Sequence, residues 1–411
     1  MRTIVPEGYK KTKVGVIPND WQLYRTDKVL KRVRNSVDVI DGEEYKQIGI
    51  RSHGKGIFYK ETVSGKELGN KSVFWIEPDC FIVNIVFAWE QAIGKTTENE
   101  IGMIASHRFP MYKPQPNKVD LDYLVYLFKS KRGKYLLELA SPGGAGRNKT
   151  LGQGEFAELE IALPPFKEQQ KIANILAIYD EAIIKQEELI KEKEQLKKGL
   201  MQKLLSGEVR FGSFNDKWKE TKLENIGNFY LGLTYTPKYV EEGIPFLSVK
   251  DIKENNLSFD DTKFISREEY ISSTDNAKPK KGDILFGRVG TLGNPIVINT
   301  DKEFCIFVSL GYIRVNENVL NKFIMHWMNS IYFEKQVETQ VAGSSQKNLN
   351  IGWLKKFKIS LPNREEQKTI SDFLDTVEQE IRLLKNELDE LKLQKKALMQ
   401  KLLTGQVRVK V

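Results

Sequence analysis

The chain has 411 residues, a length that predicts two or more domains, and its 40% hydrophobic and 29% charged content suits packed globular cores. Its formal net charge of +9 favours an anionic partner, nucleic acid before membrane. Two distant cysteines, Cys80 and Cys305, exclude a disulfide framework or cysteine metal quartet, and no signal-peptide core or membrane-length apolar run occurs, so the expected setting is reducing and cytoplasmic.

Along the chain, residues 1–163 alternate short apolar runs with Gly, Asn and Asp turns. Residues 72–76 and 81–86 predict strands, and residues 123–128 a helix. After Pro165 no proline occurs until the tail ends, and Glu168 stands in the first turn, where a carboxylate suits the helix dipole. Ile172, Leu176, Tyr179, Ile183, Ile190, Leu200 and Leu204 then recur at heptad steps, interrupted by Gln186, Lys193 and Lys197. Gly207 is the stop signal. Residues 211–361 again mix strand patterns, at 284–286 and 295–298, with a helical one at 323–329. A second tail carries Ile370, Leu374, Val377, Ile381, Leu384, Leu388, Leu391, Leu398 and Leu402 at alternating steps of four and three, interrupted by Lys395 and stopped at Gly405. The helical lysines Lys193, Lys197, Lys198 and Lys395 read as a solvated or partner-facing side.

The two tails are copies. GLMQKLLSGEVR at 199–210 returns as ALMQKLLTGQVR at 397–408, with nine of 12 positions identical at an offset of 198. The register holds upstream, where LPPFKEQQKI at 163–172 lies over LPNREEQKTI at 361–370, and Leu151, Gly154 and Ile161 lie over Leu349, Gly352 and Ile359. Near the start of each half Gly15 and Trp21 lie over Gly212 and Trp218. Helices this long cannot bury their stripes alone. The expected fold is therefore α+β: two mixed α/β heads, 1–163 and 211–361, separated by two long antiparallel helices, 164–210 and 362–411, that form a coiled coil in a pseudo-twofold internal repeat.

Familiar catalytic patterns are missing. A phosphate loop fails at Gly94-Lys95-Thr96, because the first glycine would fall on Trp89. Pro164-Pro165-Phe166 follows Leu163 where amino-methyltransferases need an asparagine. None of His53, His107 and His326 has metal-ligand spacing. Gly143-Gly144-Ala145-Gly146 ahead of Arg147-Asn148-Lys149 reads as a flexible basic loop.

Together these features resemble the specificity subunit of type I restriction-modification systems, over nearly the whole chain. The paired tails carry the resemblance, with Leu-Pro-x-x-x-Glu-Gln leading into a helix that closes on Leu-Met-Gln-Lys-Leu-Leu-(Ser/Thr)-Gly. Gly15-Val16-Ile17-Pro18-Asn19-Asp20-Trp21 and Gly282-Asp283-Ile284-Leu285-Phe286-Gly287-Arg288-Val289-Gly290-Thr291-Leu292-Gly293 look like common motifs of its heads. Ala88-Trp89-Glu90-Gln91-Ala92-Ile93-Gly94 resembles a third, departing at Glu90 and Gln91. The resemblance implies a non-catalytic chain whose heads, as target-recognition domains, each read half of an interrupted target in double-stranded DNA. It implies helices that set the spacer and dock two methyltransferase subunits. No cofactor is expected in this chain: S-adenosylmethionine belongs to the methyltransferase, and ATP and magnesium to a restriction subunit that can join. No membrane partner is expected. The alternatives are a solitary sequence-specific DNA-binding regulator and a standalone methyltransferase or nuclease. Arginine can grip guanine in bidentate fashion, Gln or Asn can grip adenine, and lysine meets phosphate. The expected DNA contacts are thus Arg51, His53, Lys55, Trp89, Gln91, His107, Arg108, Arg147 and Lys149 in the first head. In the second they are Lys250, Lys253, Arg288, Thr291, Ser345, Gln346 and Lys347.

Overall fold

A computed structural model describes residues 5–143, 149–212, 214–253, 256–290, 292–341 and 348–410. The chain packs as two compact units, Met1–Gln186 with Glu387–Val411, and Glu187–Asn386. Compactness thus groups the elements differently from the sequence segments, since each unit takes a head and a part of both long helices. No helix among the described residues is long and apolar enough to cross a membrane.

In the first head the strands are β1 (Leu30–Val33), β2 (Glu44–Arg51), β3 (Gly56–Ser64), β4 (Val73–Trp75), β5 (Phe81–Val83), β6 (Ile93–Lys95), β7 (Ile104–Ser106), β8 (Met111–Pro114) and β9 (Glu160–Leu163). One antiparallel sheet runs β6-β5-β8-β1. In the other, β2 lies between β3 and a parallel β7, and β7 continues to β4. Helices α1 (Leu121–Lys129) and α2 (Lys131–Leu139) follow. The Asp120 carboxylate caps α1 by accepting from the Tyr123 N–H at 2.9 Å, and Ser130 caps α2. Then comes α3, the long helix Phe166–Leu204.

The second head repeats the plan with β10 (Gly227–Leu231), β11 (Ile244–Leu247), β12 (Lys263–Ile265), β13 (Ile284–Gly287), β14 (Gly293–Val297), β15 (Cys305–Ile306), β16 (Leu310–Val315) and β17 (Lys358–Leu361). Its antiparallel sheet runs β14-β13-β16-β10, the same order strand for strand. Its second sheet again places a parallel pair, β11 with β15, beside an antiparallel neighbour, β12. Helices α4 (Asn321–Met328), α5 (Ile331–Val341) and the long α6 (Arg364–Leu402) complete it. Matching hydrogen bonds fix the equivalence: Thr96 donates to the Cys80 carbonyl as Ile298 donates to that of Asp283, both at 2.9 Å.

The repeated motifs are structural fasteners. Gln169 is buried at the start of α3. Its amide donates to the carbonyls of Lys118 and Pro164 and its oxygen accepts from the Asp120 N–H, which ties α1 to the helix entry. Gln367 does the same for α4 through the Leu320 N–H and the Pro362 carbonyl. Glu366 is fully buried and grips Arg210, beyond the end of α3, at 2.6 and 2.8 Å. Glu168 grips Arg408, beyond the end of α6, at 2.8 Å, and Arg408 also reaches Asp20. Each tail is thus clipped to the first turn of the other long helix. Gly207 and Gly405 make this possible, at φ 76° and 73°. A Cβ on Gly405 would stand 2.6 Å from Pro18, and one on Gly207 3.3 Å from the Trp218 ring.

Within each unit the long helices run antiparallel. In the first, Ile172, Leu176 and Leu402 are buried in the head's own core, while Tyr179, Ile183, Leu388, Leu391 and Leu398 are half-buried. In the second, Leu204, Ile370 and Leu374 join that head's core, Ile190 and Ile381 are buried, and Leu200, Val377 and Leu384 are half-buried. The interruptions carry polar contacts. Lys193 meets Glu380 at 2.6 Å, Gln186 donates to Glu387 at 3.0 Å, Lys197 pairs with Glu378, and Lys395 pairs with Asp180. This corrects the reading of Lys193, Lys197 and Lys395 as solvated or facing an external partner. A lysine at a seam position has the facing helix's carboxylate within reach. Lys198 is exposed.

Candidate nucleic-acid interface

In the first head four loops come together at one end of the two sheets. The turn after β2 docks on the 88–91 loop, with His53 N–H donating to the Glu90 carbonyl at 2.7 Å and Gly54 N–H to that of Gln91 at 2.9 Å. Ile85 bridges the other two, donating to the Arg108 carbonyl at 3.0 Å and accepting from the Leu151 N–H at 2.8 Å. Arg51, His53, Lys55, His107 and Arg108 are exposed there, and the ammonium of half-buried Lys149 lies 5.8 Å from the centroid of the Trp89 ring. His53 holds φ 61° and Gln91 φ 60°, left-handed positions that turn the two loops back on each other. The Glu90 carboxylate accepts from the Ser52 hydroxyl at 2.9 Å.

The second head repeats the Ile85 bridge. Arg288 N–H donates to the Ser309 carbonyl and Leu349 N–H to that of Arg288, both at 2.8 Å. Counted from the parallel pair, Lys250 matches Arg51, but Arg51 still pairs with Gly56 in its strand whereas Lys250 lies past the strand end in a 3-10 turn, Val249–Asp251. Both side chains are exposed, as is Lys253 on the hairpin that follows.

Two expected readers face inward. Gln91 donates through its amide to the carbonyls of Phe128 at 2.8 Å and Ser130 at 3.2 Å, closing the end of α1. Arg288 is buried. Its guanidinium donates to the Leu349 carbonyl at 3.1 Å and the Val308 carbonyl at 2.9 Å, and burial pushes its pKa down from the usual arginine range. Both side chains brace the loops on which they were expected to face DNA, because a donor-rich side chain beside loose backbone carbonyls satisfies them first. Arg147, Thr291, Ser345, Gln346 and Lys347 lie outside the described residues.

Sequence reading missed a neighbouring group on β3. Phe58 lies opposite Gly49 in the strand pair, and its ring fills the space a side chain would take there. The Arg51 guanidinium carbon lies over that ring, 4.9 Å from its centroid, and the Lys60 ammonium lies 5.9 Å from the Phe109 centroid. The run Phe58-Tyr59-Lys60 is visible in the sequence, but its link to Arg51 depends on strand pairing.

His326, Asp375 and Glu378 offer ligand atoms within 4.8 Å of one another. Lys322 already pairs with Asp375 and Lys197 with Glu378, so a divalent cation would have to displace two ammonium groups. Burial opposes the charge on Asp375, yet hydrogen bonds from His326 and Lys322 hold its carboxyl below the ordinary value. This cluster fastens α4 to the long helices and offers no open coordination site.

Comparison with known proteins agrees with this arrangement. The family description "Type I restriction modification DNA specificity domain" matches residues 41–197 and 215–393. The chain is 24% identical to the type I restriction enzyme MjaVIII specificity subunit of Methanocaldococcus jannaschii, over 98% of this chain and 97% of that one. It is 25% identical, with the same coverages, to the putative MjaX specificity subunit of that organism. Among solved structures it is similar to the HsdS subunit from Thermoanaerobacter tengcongensis, with a TM-score of 0.54 and 18% identity over 95% of this chain and 98% of that chain. A chain from a study of complex assembly and conformational transition of the type I R-M system gives a TM-score of 0.61 at 18% identity, over 95% and 99%.

Proposed function

This chain belongs to the type I restriction-modification DNA specificity family, and on that premise we propose that it recognises a two-part target in double-stranded DNA for an associated methyltransferase. The heads, residues 1–163 and 211–361, are its target-recognition domains, each reading one half of the target. The long helices set the spacer and dock two methyltransferase subunits, which carry S-adenosylmethionine. A restriction subunit using ATP and magnesium can join the assembly. Relatives and structural neighbours give no support to a solitary regulator.

The observation that carries the reading is the matched loop cluster. Two heads of diverged sequence join matching loops by the same backbone hydrogen bonds, Ile85 with Arg108 and Leu151 in the first and Arg288 with Ser309 and Leu349 in the second, and each carries an exposed basic side chain, Arg51 or Lys250, a few residues beyond its parallel strand pair. Exposed cations there suit phosphate and base edges. Arg51, His53, Lys55, Trp89, His107, Arg108 and Lys149, with Lys250 and Lys253, are the proposed contacts.

The test is to map methylated bases in DNA exposed to the chain assembled with its methyltransferase. Replacing residues 1–163 by a different head should change one half of the target and leave the other intact. Changes in both halves would sink the division of labour, and an assembly with no sequence preference would sink recognition itself.

A further inference from the structure

Arg51 differs from the other exposed cations of the first head's loop cluster in how it is held. Its guanidinium lies over the Phe58 ring at 4.9 Å. The ring has its own place only because residue 49 is glycine: a Cβ there would stand 2.3 Å from the ring carbons. Gly49 and Phe58 are paired across β2 and β3, and Arg51 pairs with Gly56 two positions on, so ring and guanidinium share one face of the hairpin. Arg51 is exposed and makes no ion pair with another described residue.

A guanidinium that lies over an aromatic ring is restrained by it and can keep its fork of N–H donors free for a planar partner. That geometry matches the two adjacent acceptors, O6 and N7, that guanine shows in the major groove. Resting on the proposed recognition of DNA, we infer that Arg51 reads a guanine in the half-site of the first head, with Phe58 as its positioning residue and Gly49 as the gap that admits the ring. Lys250, the residue at the same count from the parallel pair of the second head, lies in a 3-10 turn and carries a compact ammonium that cannot make the paired contact. The corresponding position of the other half-site therefore carries no such guanine requirement through this residue.

The experiment uses the chain assembled with its methyltransferase on a DNA library randomised over the target. Arg51→Lys keeps the charge and loses the planar fork. Phe58→Leu keeps bulk and loses the ring, and Phe58→Tyr keeps the ring. The expected result is one guanine position in one half-site whose preference falls by roughly 5- to 150-fold in Arg51→Lys and weakens in Phe58→Leu, while Phe58→Tyr retains it. All other positions and the salt dependence of binding should stay as in the wild type. The assignment is overturned if the Arg51→Lys target is unchanged, if the relaxed base is not guanine, or if Phe58→Leu keeps full guanine preference. A wild-type assembly without sequence preference would remove the recognition reading and this assignment with it. A wild-type preference that survives Arg51→Lys removes the assignment alone.

Discussion

Arg288 and Arg51 had equal claims on DNA as residues in a sequence, and the fold treats them in opposite ways. Arg288 turns inward to the carbonyls of Leu349 and Val308. Truncating it leaves those acceptors buried without a partner, so Arg288→Ala should lower the stability of the second head by about 1–3 kcal/mol. A chemical-denaturation midpoint would show the loss, and the salt dependence of DNA binding should not move. A shallower salt slope at unchanged stability would return Arg288 to the DNA surface. At this scale the sequence offered the right chemistry and withheld its direction. Basic and amide residues in loops were visible, but whether Gln91 meets a base or the carbonyl of Phe128 depends on a helix end 37 residues away. Phe58 carries no signal in the sequence, because its partner, Gly49, becomes a neighbour only through strand pairing.

Among elements, the tail clips show most directly what a repeated motif is for. Glu168 is legible in the sequence as a first-turn carboxylate that suits a helix dipole, yet it and Glu366 are each the socket for an arginine on the opposite tail. In the first unit the Arg408 hydrogen bond holds the Asp20 carboxyl below its ordinary range. A lowered carboxylate pKa stabilises the fold above the unfolded value, and that contribution is lost as pH falls through the folded one. Amide exchange at residues 405–408, corrected for its intrinsic pH dependence, should therefore accelerate below about pH 4. Asp20→Asn should reduce that acceleration, with Glu168 still holding Arg408, and an identical profile in the variant would show that the clip does not depend on the Asp20 carboxylate. The long helices were legible because their stripes are local and periodic. The interruptions at Gln186, Lys193, Lys197 and Lys395 looked like defects, since the partner of each lies on the other helix, 181 residues away for Lys197 and 215 for Lys395. The head sheets were least legible, because parallel pairs such as β2 with β7 join strands through long connections that leave no local period.

For the molecule as a whole, the proposed spacer role makes a quantitative demand on the helices. Each has 39 residues, about 58 Å at 1.5 Å per residue. Inserting one heptad into both, after Gln186 and after Asn386, keeps the seam in phase and adds about 10 Å. The preferred gap between half-sites should then lengthen by about three base pairs, with the bases of each half unchanged. Methylation mapping on targets of graded spacing would show it. An active variant that keeps its old spacing would move the ruler to the methyltransferase subunits.

The order in which the chain is made bears differently on its two units. Glu187–Asn386 is continuous and can complete itself as it leaves the ribosome, whereas the first unit needs Glu387–Val411, which is translated after the whole of the second unit. Leu402 and Leu403 belong to the first head's core, with Leu398, Met399 and Val409 packed against it. At roughly 5–20 residues per second, that head waits on the order of tens of seconds with the seat of those leucines uncovered. The half that emerges first is thus the half that finishes last, and the nascent first head is the part most exposed to chaperones and to misassembly. A chain stopped at residue 396 should keep amide protection in the second head and lose it in the first; equal protection in both would show that the late segment only decorates a head already closed.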